Sequence, residues 1–356
     1  MQYLIESQLI LEYTLHRTCV GGNKGIQKDL DDGIDTIGKK MTVCQLYAKQ
    51  IRHRGNVRYN TKNGRKRLMK LLEEDKLGGC PIDSVKLSDA KEWAIRMKEK
   101  GISYKTISND KHSLKAAFYT AIQDDCVRKN PFDFQLNTVI EDDTEPKVPL
   151  TPAQEESFLP FAQNDKVYQK YYDELIILLG TGLRISELCG LTDTDIDFEN
   201  RIINVDHQLL RSAETGYYIE TPKTKSGIRQ IPMSEKVYEA FNRVLKRRRG
   251  AKAVTIDGYS NFLFLNRDGY PKTATNYDGM FRGLAKKYNK YHEEALPKVM
   301  TPHTLRHTFC TNMANAGMNP KALQYIMGHS NITMTLNYYA HATFDSAKAE
   351  MLRIAA

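Results

Sequence analysis

Apolar residues recur at helical spacing along most of the chain and at strand spacing in one region only. Thr42 and Gln45 form a capping-box pair ahead of Val43, Leu46 and Tyr47, and Leu68, Met69 and Leu72 give a later apolar face. Ser88 is expected to cap a helix with Ala90, Trp93, Ala94 and Met97 on one side. Ser103 opens another through Ile107, Leu114, Phe118 and Ile122, stopped near Asn130-Pro131. Residues 42–135 therefore read as a helical bundle. Thr151-Pro152 with Gln154 restarts a helix with cap, first-turn proline and box residue in place. Period-two patterning is confined to the middle of the remainder. Asp197–Arg201 reads as a turn, "IINV" (202–205) as a strand, and "YYIETPKTKSGIRQIPM" (217–233) as a hairpin bent at "KTKSG". The expected class is mainly α with a small antiparallel β section.

At 356 residues the chain exceeds one comfortable core, so two domains are expected. The pattern divides it into a short segment 1–40, broken by "GGNKG" at 21–25 and without a clear period, a helical domain 41–140, an acidic linker 141–151 ("EDDTEPKVPLT"), and a larger domain 152–356. The longest apolar run, Leu175–Leu179, is far too short to span a bilayer, and "MQYLIES" carries no basic leader. The six cysteines are scattered and contain no CxxC pair, which fits a reducing compartment. The expected location is the cytoplasm, with no membrane partner.

Charge changes the picture. The net charge is +9, which asks for an anionic partner. The excess is not evenly spread: between Thr36 and Leu72 there is no acid at all. Beside Lys39 and Lys40 the window holds Lys49, Arg52, Arg54, Arg58, Lys62, Arg65, Lys66, Arg67 and Lys70. Charge runs are usually solvated faces, but eleven bases unrelieved by any acid point to a nucleic-acid surface.

Three stretches carry candidate chemistry. In "GTGLRISELCGL" (180–191), Arg184 follows a glycine turn and Glu187 lies one helical turn on, a spacing that taken alone most often makes a structural ion pair. In "TPHTLRHTF" (301–309), His303 and His307 have the spacing of a helical zinc pair, but the glutamate of HExxH is missing. Pro302 instead sets His303 at a helix N-terminus, where backbone N–H groups favour an anion, and Arg306 falls one turn later. "MGHSNITMTLNYYAH" (327–341) supplies His329 after a glycine, then the tyrosine pair Tyr338-Tyr339.

In this order, Arg184 with Glu187, a lysine near 223, His303-x-x-Arg306, Gly328-His329 and Tyr339-x-His341 resemble the tyrosine recombinase (phage integrase) family, most closely the integrases of conjugative transposons. The resemblance covers roughly 42–356. It implies a helical core-binding (SAM-like) domain joined to a catalytic integrase domain, the two closing on opposite faces of a duplex. It leaves residues 1–40 too short for a complete arm-binding domain.

The implied roles are as follows. Tyr339 attacks a DNA phosphate to give a 3′-phosphotyrosyl bond, with Tyr338 the lesser candidate. Lys223, or Lys225 two residues on, protonates the departing 5′-oxygen. Arg184, Arg306 and His329 stabilise the charge on phosphorus, His303 donates or takes a proton, and Glu187 orients His303. No cofactor and no metal are expected. The implied partners are double-stranded DNA (element ends and target), other copies of the chain as a tetramer on two duplexes, and an excisionase-type accessory protein. The competing readings are a non-catalytic DNA-binding regulator and a type IB topoisomerase-like relaxase. The apolar face of "FDSAKAEMLRIAA" (344–356) is expected to dock on a neighbouring subunit.

Overall fold

The computed structural model describes residues 40–55, 57–145, 148–222, 224–248, 254–339 and 351–352. The chain divides into two compact units at the Glu145–Pro146 junction. Among the described residues no helix is long and apolar enough to cross a membrane.

Among its described residues the first unit has helices and no strand beyond the isolated Thr42–Pro81 bridge. Helix α1 (Val43–His53) starts where expected, with Thr42 accepting from the Gln45 N–H at 3.2 Å and Gln45 returning the bond at 2.9 Å. Gly55, at φ +57°, lies between it and α2 (Tyr59–Glu73). Helix α3 (Leu87–Glu99) begins one residue earlier than its expected cap: Ser88 lies inside it, and Asp89 closes back onto the Lys86 N–H at 2.8 Å. A carboxylate at the third helical position takes the place expected of the serine. Helix α4 (Tyr104–Gln123) is capped by Ser103 as expected.

Trp93, Phe118 and Phe132 fill the centre of this unit, Trp93 meeting Phe132 edge-on at 5.8 Å. Buried Asp75 takes a two-point bond from Arg96 at 2.7 and 2.8 Å, so two charges leave water only as a matched pair.

The second unit is built around α6 (Tyr172–Thr181), whose Leu175, Ile177 and Leu178 are wholly buried. It packs against α5 (Pro152–Asn164), α8 (Glu235–Arg248) and α10 (Pro302–Asn315). The Thr151–Gln154 box starts α5 as the sequence implies. Short α7 (Ile185–Gly190), α9 (Ala274–Tyr288), α11 (Pro320–Met327) and one-turn α12 (Thr333–Leu336) complete the helices used below.

The β section departs from expectation. Strands β1 (Ile196–Asp197), β2 (Ile202–Val205) and β5 (Arg229–Pro232) form one antiparallel sheet in the order β1-β2-β5; β3 (Gln208–Ser212) and β4 (Gly216–Glu220) form a separate hairpin. The turn at 198–201 and the strand 202–205 are present, but 217–233 is not a hairpin. Its first half pairs back with β3 and its second half with β2. The residues between, 224–227, make a short 3-10 turn rather than a hairpin bend.

Candidate active site

Two glycines in left-handed backbone conformation, Gly182 and Gly328, end α6 and α11 and frame the site. Gly182 (φ +63°) could not carry a Cβ, which would fall 2.5 Å from the Phe309 ring; at Gly328 (φ +61°) it would meet the Ser226 carbonyl at 3.0 Å. Each glycine gives its carbonyl to an arginine. Arg184 donates from Nη2 to the Gly328 carbonyl at 3.0 Å. Arg306, one turn into α10, donates to the carbonyls of Gly182 and Met327. Three segments far apart in sequence are thereby locked round two guanidinium groups.

Glu187 is the counter-charge. Arg184 reaches it from Nη1 at 2.7 Å and from its backbone N–H at 2.9 Å. Arg229 on β5 reaches both its oxygens, at 2.8 and 3.1 Å, and also donates to the carbonyls of Gly227 and Ile326. Burial opposes ionisation of Glu187, but the Arg229 hydrogen bonds and the surrounding arginine charges outweigh it and hold the carboxyl at about 2. Glu187 therefore acts on two arginines, where the resemblance implies that it orients His303. Three guanidinium groups against one carboxylate leave the cluster with surplus positive charge. Burial, with Arg184 beside it, pushes Arg306 down to about 9, which keeps it charged at neutral pH. Arg306 is 3% exposed, whereas the Arg184 side chain is 37% exposed and opens the cluster to solvent.

His329 follows Gly328 directly and is buried. Its Nδ1 lies 2.9 Å from the Thr335 hydroxyl. Burial first, then the charges of Arg306, Arg184, Arg229 and His303, pull it down to about 4, so the ring is neutral at pH 7. His303 is exposed at the N-terminus of α10, behind the Thr301 cap and Pro302. Lys225 is exposed and begins the turn Lys225–Gly227, whose Ser226 carbonyl abuts Gly328. Lys223 and His341 lie outside the described residues, as does the 344–356 tail apart from Met351 and Leu352, which are helical and exposed.

The two tyrosines differ. The Tyr339 hydroxyl donates to the Met318 carbonyl. The Tyr338 ring packs edge-on against His307 at 4.8 Å. Burial raises both phenols, but only Tyr338 feels the opposing charge of Arg306. Both pack on Phe309, Cys310, Ala314, Leu323 and Met327.

Arg229 and Thr335 are not marked by any motif in the sequence. Arg229 did leave a signal: it shares the inward register of β5 with buried Ile231, and a lone charge at a core-facing strand position needs a partner.

In the first unit, the bases from the acid-free stretch separate into two groups. Arg58, Lys62, Lys66 and Lys70 follow one another at i, i+4 along α2, and the three lysines are exposed. Arg52 and Arg54 are exposed at the end of α1, and Arg65 is half-buried. Lys49 is paired with Asp124 at 2.8 Å, Arg67 with buried Asp110 at 2.5 Å, and Lys70 more loosely with Glu74 at 3.8 Å.

The sequence profile of the phage integrase family matches residues 149–346. The chain is 69% identical over 329 residues to the transposase from transposon Tn916 of Enterococcus faecalis, covering 92% of this chain and 81% of that one. Among solved structures it resembles the Tn1549 transposon integrase (residues 82–397) in complex with a circular intermediate DNA, at 77% identity and TM-score 0.84, over 88% of this chain and 99% of that one. The same integrase in complex with transposon right end DNA matches at TM-score 0.83 and 77% identity, over 89% of this chain and 100% of that one.

Proposed function

Because the chain belongs to the phage integrase family, the tyrosine recombinases, we propose that its arginine cluster holds a scissile DNA phosphodiester for attack by a tyrosine. The chain is a site-specific DNA integrase of a mobile element. The observation that carries the assignment of roles is the pinning of Arg184 and Arg306 by the carbonyls of Gly328 and Gly182. Donors fixed in advance need no reorganisation when negative charge builds on the non-bridging oxygens. A planar guanidinium suits two such oxygens at once.

In this reading the phenol oxygen attacks phosphorus, the bond from phosphorus to the 5′-oxygen breaks, and a 3′-phosphotyrosyl ester forms. His303 at the helix N-terminus takes the phenolic proton, and Lys223, with Lys225 as alternative, protonates the leaving 5′-oxygen. Neutral His329 donates to the phosphate. A 5′-hydroxyl from a second strand then reverses the attack and completes strand transfer.

The nucleophile proposed is Tyr339, because the signature ends in Tyr339-x-His341, with Tyr338 the lesser candidate. In the DNA-free chain the Tyr339 hydroxyl donates to the Met318 carbonyl, a bond it gives up to reach a phosphate.

The DNA partners proposed are element ends and target. Lys49, Arg52, Arg54, Arg58, Lys62, Arg65, Lys66, Arg67 and Lys70 grip the backbone from the first unit, Lys49, Arg67 and Lys70 on release from Asp124, Asp110 and Glu74. Assembly as a tetramer on two duplexes, an excisionase-type accessory protein, and action in the bacterial cytoplasm at the nucleoid complete the proposal. The test is incubation with nicked element-end DNA followed by SDS. A covalent 3′-linked adduct is expected, lost on Arg306→Lys because one ammonium cannot span what the guanidinium spans. Adduct at the unaltered rate in Arg306→Lys would remove Arg306 from the chemistry.

A further inference from the structure

Thr335 is wholly buried and no part of the clamp itself, yet it touches both the His329 ring and the segment that carries the tyrosine pair. Its hydroxyl lies 2.9 Å from His329 Nδ1, and its carbonyl accepts the Tyr338 N–H at 3.0 Å. We propose that Thr335 is a positioning residue: its hydroxyl donates to Nδ1, which leaves the ring proton on Nε2 for the scissile phosphate. The inference rests on the reading that a phosphodiester occupies the arginine cluster.

The chemistry is a matter of tautomers. A neutral imidazole has one N–H and one lone pair, and the partner of one nitrogen decides the state of the other. The groups facing His329 are Arg306, Arg184, Arg229 and His303, and these, with its burial, keep the ring neutral. A phosphate oxygen among those cations accepts hydrogen bonds and offers none. A lone pair on Nε2 would be repelled there, so Nδ1 must be the acceptor. The hydroxyl bonded to it is that of Thr335. Thr335 stands on α12, six residues after His329 and four before Tyr339, so its hydroxyl ties the ring to the helix that leads into the tyrosine pair.

The test is single-turnover cleavage of a nicked duplex carrying an element end, by the full chain. Thr335→Val, which keeps the shape and removes the hydroxyl, is expected to slow cleavage about tenfold, the worth of one hydrogen bond, at unchanged DNA affinity. Thr335→Ser, which keeps the hydroxyl, recovers most of the rate. In a His329→Ala background Thr335→Val produces no further slowing, because Thr335 acts through that ring. Equal slowing in both backgrounds, a serine variant as slow as the valine one, or a valine variant at full rate overturns the proposal. Should the valine variant unfold at the assay temperature, Thr335→Ala in the same two backgrounds gives the same comparison. Adduct formation by the unaltered chain reports separately on the reading beneath it.

Discussion

Arg229 donates to both carboxylate oxygens of Glu187, at 2.8 and 3.1 Å, from a strand 42 residues further along the chain. The same carboxylate holds Arg184, so a wholly buried arginine orients one that opens to solvent. Arg229→Met leaves a buried carboxylate half-paired and is expected to lower the unfolding free energy by roughly 3 kcal/mol. Adding Glu187→Leu should restore most of that stability, while cleavage stays low because Arg184 has lost its hold. Urea melts and cleavage rates of the single and double variants check both parts; a fully stable Arg229→Met would contradict the pairing.

His329 gives stability a pH dependence whose sign is fixed. Its folded value, about 4, lies below its ordinary 6.5. Between about pH 4 and 6.5 the unfolded chain therefore binds the extra proton, and stability rises with pH across that window and is lost on acidification. His329→Gln should flatten this part of the curve. Urea midpoints of the DNA-free protein measured from about pH 4.5 to 7.5 provide the comparison. A curve equally steep in both proteins would place the proton elsewhere.

How far the sequence reached follows from whether each feature is local. The starts at Thr42, Ser103 and Thr151 were legible because a cap and its partner sit three residues apart. Ser88 misled because Asp89 offered a stronger acceptor one residue later. The supposed hairpin at 217–233 failed for the opposite reason. Alternation shows that a segment is extended, but not with what it pairs, and β4 and β5 find partners in β3 and β2. In the site, the residue types of the cluster could be named from motif order. Arg229 could not, since its bonds to Glu187 and Ile326 are made across the fold, nor could Thr335, whose bond six residues back to His329 follows no recurrent spacing. The tyrosine pair shows what spacing can rank and what it cannot: the Tyr-x-His pattern puts Tyr339 first, but gives no sign that its hydroxyl donates to the Met318 carbonyl in the DNA-free chain.

The lysine is open to a chemical test. A 5′-bridging phosphorothiolate has a leaving group that scarcely needs a proton. It should rescue Lys223→Ala and fail to rescue Arg184→Ala, which removes charge stabilisation instead. Rescue of Lys225→Ala alone would move the acid two residues along the loop.

The stripe on α2 predicts a salt effect. Each cation that neutralises a phosphate adds about 0.9 to the log–log salt slope, so its removal should take that much away. Lys62→Ala with Lys66→Ala and Lys70→Ala is expected to flatten the slope and weaken binding to all DNA sequences alike. Arg67→Ala should act mainly on stability, because it strands buried Asp110. An unchanged slope in the triple lysine variant would mean these side chains are only solvated.

The central claim is that a tyrosine of the 338–339 pair becomes covalently joined to DNA, and that it is Tyr339. Its most direct measurement is the identity of the adducted residue. The unaltered chain, Tyr338→Phe and Tyr339→Phe are each trapped on nicked element-end DNA, digested, and the nucleotide-bearing peptide sequenced by mass spectrometry. The account predicts the nucleotide on Tyr339, no adduct from Tyr339→Phe, and adduct retained by Tyr338→Phe, which loses only its hydroxyl beside the His307 contact. A nucleotide on Tyr338, with adduct surviving in Tyr339→Phe, would contradict it.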